Sequence, residues 1–308
     1  HRRKNLSAMV RWAAQDGRSR PLVVVLGSSR SAMGLSPAHV RRGAGADELL
    51  VGNCSQTACL PIGQRLNLGR LLDTGPVPDY VLVEVLPPVL ADPRPVEEQV
   101  RLQRLGRADL ARLRPYLKEP DRVLARWAGT RVAGWYAYRY DLLAHAGRAD
   151  LIPPHFRQDC LWSGLPPDGW GPFDPPAWPP EVRAGHLAVA HQTYDWLLAD
   201  FRVNPETIRP HRDLLAECRA RGIRAALLLM PESPTFRGWY PPAARVRVRD
   251  YLDELSREFG VPVFDASAWI DDEAAFMDGH HLLRPGAERF SERLGRECVG
   301  PWVRGELR

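Results

Sequence analysis

Pro21-Leu22-Val23-Val24-Val25-Leu26 runs directly into Gly27-Ser28-Ser29-Arg30-Ser31. An unbroken apolar, β-branched run stopped by a glycine suits a strand buried on both faces, and such strands belong to parallel sheets covered by helices. Working outward, Glu48-Leu49-Leu50-Val51-Gly52-Asn53 is a second apolar run, and Ile62 to Asp73 carries Leu and Ile at helical spacing. Asp79-Tyr80-Val81-Leu82-Val83-Glu84-Val85 is a strand by composition, closed by Pro87-Pro88. The same alternation returns late in the chain. Thr207 to Arg221 reads as a helix stopped by Gly222, followed by a strand from Ile223 to Met230. Arg245 to Phe259 is a helix stopped by Gly260, Val261 to Asp265 a short strand, and Pro285 to Cys298 a helix with proline at its first position. Helices of this length between strands predict a doubly wound α/β sheet of about five parallel strands with right-handed crossovers, a three-layer sandwich.

The stretch from 91 to 203 breaks this rhythm and reads as an insertion. Glu97 to Tyr116 and Asp121 to His145 look helical, while Leu151 to Pro180 is dense in Pro, Gly and Trp and has no period. Its aromatics, Trp162, Trp170, Phe173 and Trp178, suit either a lid or sugar-stacking platform, or a packed loop that holds the insertion down. Packing is the favoured reading.

A chain of 308 residues, 44% hydrophobic, can bury a full core. The expected organisation is an N-terminal flank over 1–19 and one α/β domain over 20–308 carrying the insertion. The formal charge of +5 comes from Arg spread among Asp and Glu. No dense basic tract interleaved with aromatics stands out, so nucleic acid is not an expected partner. Five scattered cysteines do not form a metal knuckle; Cys54 and Cys59 are spaced either for a bridge or as two small buried thiols. The opening His1-Arg2-Arg3-Lys4 suits a flank just after a removed membrane anchor. An extracytoplasmic or membrane-associated location is therefore favoured over a cytoplasmic one.

Two motifs carry chemistry. Gly27-Ser28-Ser29 sits where the first strand ends, the edge at which open α/β sheets place their ligands. There a serine hydroxyl can meet a base while backbone N–H groups face a developing oxyanion. Taken alone, the turn fits equally a phosphate nest or a plain strand end. Asp278-Gly279-His280-His281, some 250 residues downstream, places an acid three positions before an imidazole, the pair needed to orient a base toward serine. A helix-capping Asp beside a surface His is the bland alternative. A metal site of Asp278, His280 and His281 is the third reading and ranks last.

Together these motifs resemble the SGNH/GDSL hydrolase superfamily, whose first block places the nucleophile after glycine at the end of strand one and whose last block is Asp-x-x-His before the final helix. The resemblance covers roughly 20 to 90 and 205 to 300. It implies the SGNH/flavodoxin-like sandwich, Ser29 as nucleophile, Asp278 and His281 as its acid–base partners, and no cofactor. Ser28 stands in the usual Asp place of the first block. The second-block region is Gly52-Asn53-Cys54-Ser55-Gln56-Thr57, which makes Asn53 and Ser55 oxyanion candidates, Ser55 through its backbone N–H. The third block ends in Gly-x-Asn-Asp in the family, whereas this chain has Glu84-Val85-Leu86-Pro87-Pro88. Losing that side-chain donor costs on the order of a hundredfold in rate unless another group replaces it. Arg30 is a candidate for an anionic group or acyl oxygen of the substrate; the alternative pairs it with Glu84, which completes the set of oxyanion and substrate candidates. The resemblance lies nearest the envelope-associated acyltransferase-like relatives. It implies an esterase or O-acyltransferase acting on a small-molecule or carbohydrate ester, with a catalytically impaired glycan-binding or scaffolding module as the alternative.

Overall fold

The computed structural model describes residues 20–75, 77–132, 134–152, 166–175 and 179–307. The N-terminal flank, Cys160, Trp162 and Trp178 therefore lie outside the described residues. The sheet is assembled from strands whose side chains point alternately into two cores. In β1 (Leu22–Leu26), Leu22, Val24 and Leu26 join one core while Val23 and Val25 join the other, and all five are buried. Four more strands repeat this: β2 (Leu50–Asn53), β3 (Tyr80–Glu84), β4 (Arg224–Leu229) and β5 (Val263–Asp265). All pairings are parallel, in the order β2-β1-β3-β4-β5. This is the flavodoxin-type winding, and strand order reverses between β1 and β3.

Helices cover both faces. α1 (Ser29–Gly34) and α2 (Pro37–Ala44) follow β1, and α3 (Pro61–Thr74) links β2 to β3. Within the insertion, α4 (Pro180–Leu198) is the longest helix; α5 (Pro205–Ala220), α6 (Pro242–Phe259) and α7 (Arg284–Leu294) complete the layers. Leu68 and Leu71 of α3, Leu214 and Leu215 of α5, and Leu252 and Leu255 of α6 cover one face. Val40 of α2 and Ala287, Phe290 and Leu294 of α7 cover the other. Each such side chain, fully withdrawn from water, contributes roughly 1.5–3 kcal/mol.

The expected strands are all present, with ends set by local competition for backbone N–H groups. β5 starts at Val263 because the Val261 amide is spent capping α6 on the Ser256 carbonyl and Pro262 has no N–H. Within the insertion, the two long helices expected over 97–116 and 121–145 are both broken. The first divides into Val96–Gln99, a 3₁₀ turn and Arg107–Leu113, the last started by Gly106 with Asp109 accepting its amide. The second is helical over Pro120–Val132 and Gly134–Ala137, residue 133 lying outside the described residues, and breaks at Tyr138 before Arg139–His145. Val96, Leu102, Leu110 and Val123 form a separate small core against Ile62 and Leu66 on the outer side of α3. Cys54, Cys59, Cys218 and Cys298 are buried thiols outside any disulfide, so the Cys54–Cys59 bridge is not formed. No described helix is long and apolar enough to cross a membrane.

Candidate active site

The site is built where strand order reverses. β1 delivers Gly27 and Ser28, and α1 opens with Ser29; Ser28 caps α1 by accepting from the Arg30 amide at 3.1 Å. Beneath this turn lies Glu84, the last residue of β3, only 1% exposed. Its carboxylate accepts from the Ser28 amide at 2.7 Å, the Ser28 hydroxyl at 2.7 Å, the Ser31 amide at 3.3 Å, and the Ser31 hydroxyl. A Cβ at residue 27 would collide with the Glu84 carboxylate and the Ser31 hydroxyl, so only glycine allows the two strand ends to approach this closely.

The second half is a tight loop between β5 and α7. Phe276 and Leu282 form an antiparallel bridge, the Met277 amide donates to the His281 carbonyl at 2.8 Å, and Gly279 turns the chain at φ +89°. The Gly279 carbonyl accepts from the Ser233 amide at 2.8 Å, tying this loop to the segment after β4. Asp278 folds back so that Oδ1 accepts from the His281 amide at 3.0 Å and Oδ2 accepts from His281 Nδ1 at 2.8 Å. The far nitrogen, His281 Nε2, lies 2.7 Å from Ser29 Oγ, bridging 252 positions of sequence. Burial pushes the Asp278 carboxyl up, but the His281 and His280 imidazoles beside it outweigh burial and hold it well below the usual carboxylate range. A carboxylate that stays ionised, an imidazole with one nitrogen held by it, and a hydroxyl on the other nitrogen can move the hydroxyl proton to the imidazole.

The remaining candidates take other positions. Arg30 is 1% exposed and faces away from any substrate space: its Nε donates to the His280 carbonyl at 3.3 Å, and Nη2 to the Met230 and Pro231 carbonyls at 3.0 and 3.1 Å. Its ion partner is Glu232 at 3.4 Å, not Glu84. Asn53 is also buried, and its amide donates to the Ser31 and Leu35 carbonyls at 2.8 and 2.9 Å, fastening the end of α1. The Ser55 amide donates to Asn53 Oδ1 at 3.1 Å, so the expected oxyanion donor is already engaged. In this arrangement Arg30, Asn53 and the Ser55 amide all bond protein groups, and the polar groups flanking the serine turn hold the backbone in place. In the loop of the insertion, Trp170 Nε1 donates to the Met33 carbonyl at 2.8 Å and Phe173 bridges to Leu283. Those two aromatics pack the insertion across α1 and the His loop. Asp278, His280 and His281 do gather within 4.8 Å, the set a metal would need. Their facing atoms are an imidazole Nδ1 and a carboxylate oxygen in both cases, at 2.8 and 3.1 Å.

Three groups near the site were not singled out from sequence. Tyr194 of α4 reaches His280, with its hydroxyl 3.3 Å from Nε2. Glu232, directly after β4, accepts from the Tyr240 hydroxyl at 2.9 Å. Phe236, fully buried, stacks on the His280 ring at 4.9 Å. A Glu ending a buried strand, as Glu84 does, is a legible signal, because an acid there must find donors; Tyr194 offers no such signal.

The fold and site thus define an open parallel α/β protein with a Ser–His–Asp line at its topological switch point. No protein-family model matches the chain, and no curated protein matches it. Among solved structures it is similar to a lipase/acylhydrolase from Enterococcus faecalis, at 13% identity and a TM-score of 0.42, over 94% of this chain and 97% of that one.

Proposed function

We propose that this chain is a serine-dependent acyl ester hydrolase or O-acyltransferase of the SGNH/GDSL type, working through an acyl-enzyme on a small acyl ester of a carbohydrate or envelope component. The observation that carries the reading is the pair of short contacts, Ser29 Oγ to His281 Nε2 at 2.7 Å and His281 Nδ1 to Asp278 at 2.8 Å, joining opposite ends of the chain. His281 takes the Ser29 proton as Oγ attacks the ester carbonyl. The imidazolium, stabilised by Asp278, then protonates the leaving alcohol, and the C–O bond of the ester breaks. Water or a sugar hydroxyl gives its proton to His281 and attacks the acyl-enzyme, which returns Ser29.

The oxyanion falls to groups other than the family's Asn. Within the serine turn the amides of Ser28 and Ser31 bond Glu84, and that of Arg30 bonds the Ser28 hydroxyl. Among the described residues, the Ser29 amide has no protein acceptor and is the donor left for it. The test is labelling with a fluorophosphonate probe, followed by hydrolysis of p-nitrophenyl acetate by Ser29→Ala and His281→Ala. Covalent modification at Ser29 and loss of turnover in both variants is the expected result. A Ser29→Ala protein with undiminished turnover would end the proposal; an unlabelled but well-folded chain that retains glycan affinity would favour a binding module.

A further inference from the structure

The Ser29–His281–Asp278 line does not stop at the carboxylate. On the other side of Asp278, His280 Nδ1 approaches Oδ1 at 3.1 Å. That approach is short but too far off-line to be a hydrogen bond, and Nδ1 has no hydrogen-bond acceptor among the described residues. At the far edge of the same ring, Nε2 meets the Tyr194 hydroxyl at 3.3 Å. The His280 ring is fixed in its slot by three neighbours: Phe236 stacked at 4.9 Å, Tyr194 edge-on at 5.1 Å, and His281 tilted at 4.1 Å.

Resting on the serine-hydrolase reading above, we propose that His280, held as its Nδ1–H tautomer by the Tyr194 hydroxyl of the insertion, is a positioning residue that orients Asp278 and shares its charge. The direction of every proton follows from elementary chemistry. An ionised carboxylate only accepts, so the single proton of a neutral imidazole sits on Nδ1 facing Asp278, and the bare Nε2 accepts from the Tyr194 hydroxyl, a group able to serve in either role. A neutral ring is required, and burial supplies it by pushing His280 down to about 4. Burial pushes the Tyr194 hydroxyl well up, so it remains a donor. Asp278 favours a positive ring, but burial outweighs it, and His281 and Arg30 act with burial. Arg30, whose Nε donates to the His280 carbonyl, opposes a second positive charge, and Glu232 is occupied by Arg30 and Tyr240. Glu84 is occupied by the serine turn, while Asp278 and His281 are the pair being positioned.

The Nδ1 atoms of two imidazoles therefore face one carboxylate, that of His281 hydrogen-bonded to Oδ2 and that of His280 beside Oδ1, which also accepts from the His280 and His281 amides. Removing the His280 share concentrates negative charge on the oxygen facing His281, which then holds its proton to higher pH. The insertion reaches the reacting serine by this route, through α4 and Tyr194, without touching substrate.

Two measurements test this. In the full chain at pH 7, the ¹⁵N shifts of the His280 ring should report a proton on Nδ1, the less common tautomer, and Tyr194→Phe should release that preference. A proton on Nε2, or a doubly protonated ring, would overturn the proposal whatever the activity. In kinetics, His280→Phe keeps the stacking and the dry slot but removes the N–H. It should lower kcat by about tenfold, as befits one lost N–H beside a charged group, with KM little changed. It should also move the acid limb of the kcat/KM profile upward by roughly half to one pH unit. His280→Asn, which restores an N–H near the Nδ1 position, should recover most of both effects. An unchanged profile in His280→Phe, or no recovery in His280→Asn, counts against the positioning role. Because the tautomer is read without turnover, its failure is separable from failure of the Ser29 labelling test.

Discussion

At the scale of single residues, Glu84 and Arg30 show how a buried charge is made tolerable. Among the described residues Glu84 has no cation partner; serine amides and hydroxyls satisfy it, and in return it fixes the turn that presents Ser29. Glu84→Gln would keep the shape but place an NH₂ against donors. It is expected to cost about 1–3 kcal/mol of stability by leaving buried donors unpaired. It should also slow Ser29 labelling at least tenfold, in line with what displacing a nucleophile costs; equal labelling rates in the two proteins would show that the turn holds itself. Arg30 is the opposite case, a buried guanidinium shared among three carbonyls and Glu232. Arg30→Met would leave Glu232 without its cation, and burial already pushes that carboxyl up against the lowering effect of Arg30. Urea unfolding should show a loss of about 3–5 kcal/mol, whereas an arginine solvated at a sheet edge would change stability by under about 0.5 kcal/mol. The sequence exposed Ser29, Asp278 and His281 because short motifs carry them. It could not tell that Arg30 turns inward, since an Arg beside a serine turn has the same letters whether it meets substrate or carbonyls.

At the scale of elements, the strands were legible and the longest helix of the insertion, α4, was not, for one physical reason. β1, β3 and β4 are buried on both faces save for Arg224 at the start of β4, so every position but Arg224 and the closing Glu84 of β3 is occupied by an apolar or aromatic residue and the run declares itself. α4 is one-sided and mixed: it buries Ala190, Leu197 and Leu198 yet exposes Val182, Val189 and Trp196. No clean stripe survives that arrangement, and the sequence reading assigns 181–198 to the insertion without assigning a helix. Its inner face nevertheless positions Tyr194 and packs Leu198 against Phe236, Tyr240 and Ala244 after β4. The segment from Ser233 to Gly238 is thus clamped between α4 and the His loop, with Phe236 as its anchor. Phe236→Ala should cost about 3–5 kcal/mol by cavity formation. It should also remove one wall of the His280 slot, so the expected activity loss exceeds what the unfolded fraction explains. Thermal melts paired with turnover per folded molecule would check this; activity that tracks folded fraction alone would confine Phe236 to packing.

At the scale of the whole molecule, acid is where the architecture is weakest, and the cause lies away from the site. His211 of α5 sits fully inside the helical layer, its Nε2 at 2.8 Å from Gln64 Oε1 of α3 and its Nδ1 at 3.1 Å from the Tyr251 hydroxyl of α6. One imidazole therefore links the three helices that cover one face of the sheet. No carboxylate compensates its burial, which pushes it from 6.5 down to about 4. Between those values the unfolded chain takes up a proton that the folded chain refuses. Stability is whole above pH 6.5 and falls as the pH drops toward 4, by about 2 kcal/mol at pH 5 for this residue alone. His280 acts in the same window and the same direction. The Asp278 carboxyl is depressed instead, so its stabilising contribution is lost only below its unfolded value of 3.8. Urea midpoints at pH 7 and pH 5 for the parent chain and for His211→Asn separate these contributions. The variant should be less stable at pH 7, yet its loss between the two pH values should be smaller by about 2 kcal/mol. Parallel losses in the two proteins would mean that His211 is already accessible to protons in the folded state, and that acid opens the molecule elsewhere.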